Sequence, residues 1–589
     1  MSAGRDRPTA RTILDMNRFP ACNIHSFIFS NPFMHSSPLV KAWNEYEEKK
    51  LITFPPVAPH TRIYYDPDSG AALTYSRFRS ITLCLAHGIN TRFGEPKVTD
   101  TFGSGSRAGP VVLIHLANCL VWPVIALGFL AAGWTVTATN PGYTSSELVH
   151  VINLTCKSIH HADVEFFLVD PSDDAYDSQR VYGESSWTTL LSSKEFEVSS
   201  LSAEQAEHRI GFILWTSGTS GLSKGAMLTH RAIVAGIVLQ CTHYSGYSSD
   251  ERWIALPPFY HIMGLYLIAL MAPVIGATAI LVPKFTLEGY LRLATTHRAT
   301  HLHFAPPVAV ALANSELLDA PWCSLSSVKM MMCGGAPLAS EIIREVWRRT
   351  GKAIKIGYGL TETGVLTSFR KDEWDDMNAP LGACGKPYDN LELNIIDENG
   401  NPVHGDKSGE IVVRTPAQTL GYLKNPQGTA ATFCAYGFRT GDIGYIDGDG
   451  NLRVVDRLKE LIKYKGFQVS PTELEGVIAM LPDVQDVAVS SLYSTAQGTE
   501  LPTAYISPRH VNLTTSTSSS VPLPELVSLA DKVKMIVEQN CIQYKWLRGG
   551  VVFLPAVPKS PSGKILRRLL KEAKAYHVQC YKSPAQSKL

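Results

Sequence analysis

From Val111 to Val455 the chain alternates between short β-branched runs and helical candidates, and this alternation limits the possible fold more than any other feature. The runs VVLIHL (111–116), GFILWT (211–216), ATAILV (277–282), SVKMMMC (327–333) and AIKIGY (353–358) read as strands. Ala226–Gln240 and Ser340–Thr350 read as helices between them. Such alternation predicts an α/β fold, with parallel-rich sheets covered by helices. ELNIIDENGNPV (392–403), with its Asn-Gly turn, and then EIVVRT (410–415) predict a small antiparallel addition.

The turn-rich segment TGDIGYIDGDGNLRVVDR (440–457) closes this large body. Beyond it, Pro471–Met480, Glu525–Cys541 and Ile565–Tyr576 read as helices, and Val487–Leu492 and Leu501–Ile506 as strands. The polar stretch 510–524 reads as a surface loop. The expectation is a small α+β domain with its boundary near Asp456, and no internal repeat.

The 54 basic and 53 acidic residues leave a net charge of +1, which carries no nucleic-acid footprint. The 11 cysteines are dispersed without a CxxC pair, as in reduced intracellular thiols. The N-terminus lacks the apolar stretch of a secretory signal. The most apolar region, Val111–Gly133, is interrupted by His115, Asn118 and Pro123. It reads as a buried βα unit, with a helix over Trp122–Ala132, rather than a transmembrane segment.

The strongest chemical signal is TSGTSGLSKGAMLTH, Thr216 to His230. Glycines let a backbone turn and expose N–H groups, hydroxyls add donors and Lys224 adds charge, so the loop suits a polyphosphate. It lacks the Gly-Lys-Ser/Thr of a Walker A loop. A flexible linker is the alternative, but linkers rarely join a buried strand to the helix expected next.

This segment resembles the phosphate loop of the adenylate-forming superfamily, which includes acyl-CoA synthetases, 4-coumarate:CoA ligases, beetle luciferases and peptide-synthetase adenylation domains. LTY (73–75), TNPGYTSSEL (139–148), LPPFYHIMGL (256–265), CGGAPL (333–338), GYGLTETG (357–364), FRTGDIGYID (438–447), DRLKELIKYKGFQVSPTELE (456–475) and PKSPSGKILRR (558–568) resemble its other motifs, in family order. The resemblance implies ATP and Mg2+ as cofactors and CoA as co-substrate. It implies an adenylation domain over 1–455, a hinge over 456–459 and a mobile C-terminal domain over 460–589.

Site roles follow from the same resemblance. Thr216, Ser217, Gly218, Thr219, Ser220, Gly221 and Lys224 would hold phosphates. Tyr358, between Gly357 and Gly359, would lie against adenine, and Thr361 would bond the α-phosphate. Glu362 would hold Mg2+, a hard cation that prefers oxygen. Asp442 would accept both ribose hydroxyls, with Arg457 beside it. Lys564 would bridge carboxylate and α-phosphate during adenylation. His261, Met263, Gly334, Gly335 and Ala336 would line the acid pocket. For thioester formation the small domain would turn about Lys459, bringing in Lys463 and Gln468, with Lys465 and Gly466 beside the CoA arm.

Ser223 stands where many members carry Pro, and Ile356 where Gln is common. Where the similar coumarate ligases place a Tyr that bonds a ring hydroxyl, this chain carries Met263, with Leu267 farther along, which favours an aliphatic or unsubstituted aromatic acid. A luciferase-like oxygenase shares these motifs. An adenylating enzyme with another acceptor and a non-catalytic binding module are the other readings. Retention of Lys224, Glu362, Asp442, Arg457 and Lys564 together argues against the binding module. The final Ser587, Lys588 and Leu589 match a tripeptide read by the peroxisomal import receptor, so the expected location is the peroxisome.

Overall fold

The computed structural model describes residues 20–32, 56–98, 107–156, 186–216, 223–244, 247–282, 284–374, 381–403, 405–495, 497–511, 524–559, 564–570 and 576–578, with positions 165, 167, 169 and 513. Strands β1 (Arg62–Tyr65) and β2 (Ala72–Thr74) precede a long helix, Tyr75–Phe93. Next come β3 (Val111–Ile114), β4 (Thr135–Ala138), β5 (Ile210–Thr216) and β6 (Lys224–Thr229). They form one sheet in that order, parallel from β3 to β5, with β6 antiparallel.

The most apolar stretch of the sequence is the crossover between β3 and β4. The helix Val121–Ala131 carries no charge, and all 11 of its residues are buried. A helix that is apolar all round belongs in a core, where each large aliphatic side chain contributes about 1.5–3 kcal/mol.

A second sheet takes its central strands from the following segment: β7 (Arg252–Ala255), β8 (Thr278–Leu281), β9 (His301–Phe304), β10 (Met330–Cys333) and β11 (Ile354–Ile356). Its order is β11-β10-β9-β7-β8-β1-β2, parallel except at β1–β2. The helix Ser340–Thr350 covers it with Ile342, Ile343 and Val346, and stops at Gly351 in the left-handed region (φ 65°).

Antiparallel structure follows, as the 392–415 pattern predicts. It comprises β12 (Tyr358–Leu360), β13 (Gly364–Ser368), β14 (Lys386–Pro387), β15 (Glu392–Ile396), β16 (Gly409–Arg414), β17 (Phe433–Cys434), β18 (Gly437–Ile446) and β19 (Leu452–Arg457). β19 runs through Arg457, so Asp456 and Arg457 are strand residues and the turn begins at Leu458. The chain then forms the hairpin β20 (Ile462–Tyr464) and β21 (Phe467–Val469), the helix Pro471–Ile478, β22 (Val484–Ser494), β23 (Thr499–Pro508), the helix Pro524–Asn540, β24 (Gly550–Phe553) and β25 (Tyr576–Val578). This C-terminal part has its own apolar core, around Leu474, Val489, Val533 and Phe553.

Two expected helices are corrected. Ala226–Thr229 is strand, and the helix starts only at His230. β6 pairs with β5 from Ile210↔Thr229 to Thr216↔Lys224, and this tertiary pairing overrides local helix propensity. Of Ile565–Tyr576, only Arg567–Leu570 is described as helix, and Tyr576–Val578 pairs with β24 instead. The expected polar loop at 510–524 lies almost wholly outside the described residues.

Candidate active site

The parallel strands β9, β10 and β11 lead into a cleft of about 2660 Å³, where the segments that follow them supply Pro306, Gly335 and Tyr358. Ligands of open α/β sheets bind at the carboxyl ends of strands. Residues of the C-terminal part, including Lys564, line this cleft as well. Thr216, Lys224, His261, Ala336, Thr361, Glu362, Asp442 and Arg457 also line the cleft.

The residues expected to hold the nucleotide, Tyr358, Asp442 and Arg457, sit on antiparallel strands that fix their spacing. Asp442 on β18 and Arg457 on β19 are cross-strand partners, with Arg457 Nε 3.4 Å from Asp442 Oδ1. The Tyr358 hydroxyl donates to Asp442 Oδ2 at 2.7 Å. Burial raises the pKa of Asp442, opposed by Arg457 and by the Tyr358 hydrogen bond. Each carboxylate oxygen has a second lone pair, so Asp442 can still accept ribose hydroxyls. Tyr358 reaches this position because Gly359 lets β12 and β13 close together. A Cβ at Gly359 would lie 2.2 Å from Gly364 O.

Of the residues expected to hold phosphates, Thr216 and Lys224 face each other at the loop end of the β5–β6 hairpin. His150 Nε2 donates to Ser223 O at 3.0 Å, bracing the residue before Lys224. Ser217, Gly218, Thr219, Ser220 and Gly221 lie outside the described residues. The Lys224 ammonium sits 4.8 Å from the ring centre of Tyr422, whose hydroxyl donates to Glu362 Oε1 at 2.8 Å. Sequence reasoning missed Tyr422. It stands alone in GYLKN, and pairing of its segment with β6 brings it to the loop, through the bridge Ala226↔Tyr422 and the flanking backbone hydrogen bonds of Leu420 and Leu423.

Among the described residues, no group of three or more His, Cys, Asp or Glu side chains could hold a metal. Glu362, buried and with one hydrogen-bonded oxygen, fits Mg2+ carried mainly by substrate phosphates rather than a protein cage.

Lys564 lines the same cleft, within electrostatic reach of Arg457, Glu362 and Asp442. Burial lowers its pKa and Arg457 adds to the effect, against the opposing charges of Glu362, Asp442 and Glu460. Its charge also reaches His261, whose pKa is lowered to about 3, first by burial and then by Lys564. His261 is therefore neutral, and its Nδ1 accepts the Met263 N–H at 3.3 Å. Such an imidazole can shape a wall but cannot serve as a base of ordinary strength. A Cβ on Gly334 would sit 3.6 Å from Met263 Sδ, so that thioether lies against Gly334; Gly335 and Ala336 line the cleft, and Met263 and Gly334 are not part of that lining.

The remaining predicted residues are elsewhere. Lys463, Lys465, Gly466 and Gln468 lie exposed on the β20–β21 hairpin, outside the cleft lining. Lys465 and Gly466 turn that hairpin with φ of 48° and 85°, and a Cβ on Gly466 would meet nothing within 4 Å. Lys459 is exposed in the turn after β19 and borders the cleft. One arrangement thus presents Lys564 and turns the hairpin away. Ser587, Lys588 and Leu589 lie outside the described residues.

The family model for AMP-binding enzymes matches residues 57–423. 4-Coumarate--CoA ligase 1 of Solanum tuberosum is 33% identical over 522 residues, covering 83% of this chain and 90% of the relative. Peroxisomal OPC-8:0-CoA ligase 1 of Arabidopsis thaliana is 32% identical over 481 residues, covering 79% and 84%. Among solved structures, the anthranilate CoA ligase AuaEII in complex with anthranoyl-AMP superposes with a TM-score of 0.73 at 19% identity, covering 95% of this chain and 98% of that one. This last likeness is one of fold.

Proposed function

The chain belongs to the AMP-binding enzyme family, and from that premise we propose that it joins a carboxylic acid to CoA through an acyl-adenylate. The observation that carries this reading is the convergence of Lys564 with Glu362, Asp442 and Arg457 in one cleft, beside His261. A carboxylate oxygen of the acid attacks the α-phosphorus of ATP, the bond to the bridging oxygen breaks, and pyrophosphate leaves. Lys564 offsets the repulsion of the two anions as they meet, in a site where burial strengthens its field. Mg2+ bound with ATP would neutralise phosphate charge, held by Glu362.

The second step uses another face of the C-terminal part. The CoA thiol sulfur bonds to the acyl carbon, AMP leaves with the acyl–phosphate electron pair, and the thiol proton passes to solvent. Rotation about 456–459, pivoting at Lys459, would replace Lys564 with the hairpin that carries Lys463, Lys465, Gly466 and Gln468. The relatives named as CoA ligases support this acceptor.

We propose an apolar acid, aliphatic or unsubstituted aromatic, on the support of the Met263 thioether beside Gly334. The closing Ser-Lys-Leu supports a peroxisomal location. Truncating those three residues should strand the protein in the cytosol, and continued import would refute the address. A pyrophosphate-release screen over fatty, branched and aromatic acids tests the activity. The expected result is acid-dependent release with one apolar class preferred. Silence with every acid, or preference for hydroxycinnamates, would overturn the corresponding part of the proposal.

A further inference from the structure

One mostly buried ion cluster on the cleft lining, Arg567 with Glu460 and Glu475, takes no part in the chemistry described so far beyond the charge of Glu460 on Lys564. Arg567 lies three residues beyond Lys564 at the start of a short helix, and its side chain is 14% exposed. Its Nε donates to Glu460 Oε2 at 2.8 Å, and its Nη1 donates both to Val489 O at 2.7 Å and to Glu475 Oε1. Glu475, on the helix Pro471–Ile478, also accepts the Val489 N–H at 2.7 Å. Glu460 belongs to the turn after β19, where its N–H donates to Arg457 O at 2.9 Å. One guanidinium therefore ties the lysine-bearing arm to the hinge turn, to the neighbouring helix and to β22.

The arm is also held by the bridge Lys559↔Ile565, by the Leu566 N–H on Pro558 O at 2.8 Å, and by the packing of Ile565 and Leu570 against Ala488, Tyr505 and Val552. Well-packed apolar side chains could stabilise such a position as well as a buried ion cluster does, but they would fix its geometry less tightly. The planar fork of arginine holds two carboxylates at set angles, which the point charge of lysine cannot do. Glu460 also lies within electrostatic reach of Lys564, so hinge turn, clamp and lysine form one connected unit.

We propose that Arg567 is a positioning residue for adenylation: through Glu460 and Glu475 it holds the arm that carries Lys564 at the cleft. This rests on the acyl-adenylate reading above. A displacement of about 1 Å at a reacting group can cost about 100-fold in rate.

The test uses the full chain, with the acid that gives the fastest pyrophosphate release. Arg567→Gln and Glu460→Gln are compared with the unaltered chain in kcat and ATP KM for that release. They are also compared in thioester formation from supplied acyl-AMP plus CoA, and in melting temperature. Arg567→Gln should lower kcat for pyrophosphate release about tenfold or more, while ATP KM and thioester formation stay within about twofold. Glu460→Gln should show the same split, more weakly, and decides the matter if Arg567→Gln does not fold. Equal loss of both half-reactions in a variant that melts like the unaltered chain, or unchanged pyrophosphate release, overturns the proposal. No acid-dependent release from the unaltered chain overturns the acyl-adenylate reading itself, and is seen before any variant is compared.

Discussion

The Tyr422 hydroxyl donates to Glu362 Oε1 at 2.8 Å while the Lys224 ammonium rests 4.8 Å from the centre of the same ring. One aromatic side chain thus links the cation at the base of the phosphate loop to the carboxylate proposed to hold Mg2+. Glu362 is buried, so its charge depends on such donors rather than on bulk water.

Tyr422→Phe keeps the ring beneath Lys224 and removes only the hydroxyl. A hydrogen bond to a charged group is worth about 1.5–3 kcal/mol, which corresponds to roughly 10- to 100-fold in rate if expressed in the transition state. Acid-dependent pyrophosphate release should fall within that range, and half-saturation by Mg2+ should move to higher concentration. An unchanged Mg2+ titration would show that Tyr422 does not orient Glu362.

The pH profile follows from two shifts of the same sign. Lys564 acts as an ammonium, and its pKa lies below the ordinary lysine value of 10.5. Adenylation should therefore decline as pH rises, on a limb below that value. Lys564→Arg, which does not titrate there, should remove the limb from whatever activity it retains. His261, with its pKa at about 3, is neutral throughout the working range. His261→Gln should leave the shape of the profile unchanged between about pH 5 and 9, though KM for the acid changes. A limb near neutrality that disappears with His261 would reverse its assignment from wall to base.

Much of this site was legible because its parts are local. Ser340–Thr350 shows its apolar stripe and its Gly351 stop in sequence, and GYGLTETG carries Tyr358 on β12 and Glu362 in the turn that follows. What could not be read depends on distant partners. Ala226–Thr229 looks helical until β5 pairs with it, and Tyr422 has no distinguishing neighbours until the same strand bridges to it. Arg567 reads as one of two arginines in ILRR, and only folding sets Glu460 and Glu475 around it. Tyr576–Val578 follows a helix-like run but pairs with β24, a contact no local pattern announces.

Lys459 stands in the turn between β19 and β20, where proline would fix one torsion and restrict the residue before it. Lys459→Pro should still form acyl-AMP, since the arrangement that presents Lys564 is already in place. Thioester formation should drop by about two orders of magnitude or more if the hairpin can no longer reach the cleft. Single-turnover rates for each half-reaction decide the point. Equal loss of both steps, or of neither, would place the pivot elsewhere.

The most direct measurement of the account as a whole is the behaviour of Lys564→Ala in the two half-reactions separately. ATP binding should persist, because Asp442, Arg457, Tyr358 and the phosphate-loop residues are untouched. Acid-dependent pyrophosphate release should fall by about two orders of magnitude or more, the scale for losing one preorganised electrostatic stabiliser. Thioester formation from supplied acyl-AMP and CoA should continue near the unaltered rate, since Lys564 is then turned away from the adenylate. Retention of pyrophosphate release, or loss of both half-reactions in a variant that folds and binds ATP, would contradict a ligase that works by presenting Lys564 and the β20–β21 hairpin in turn.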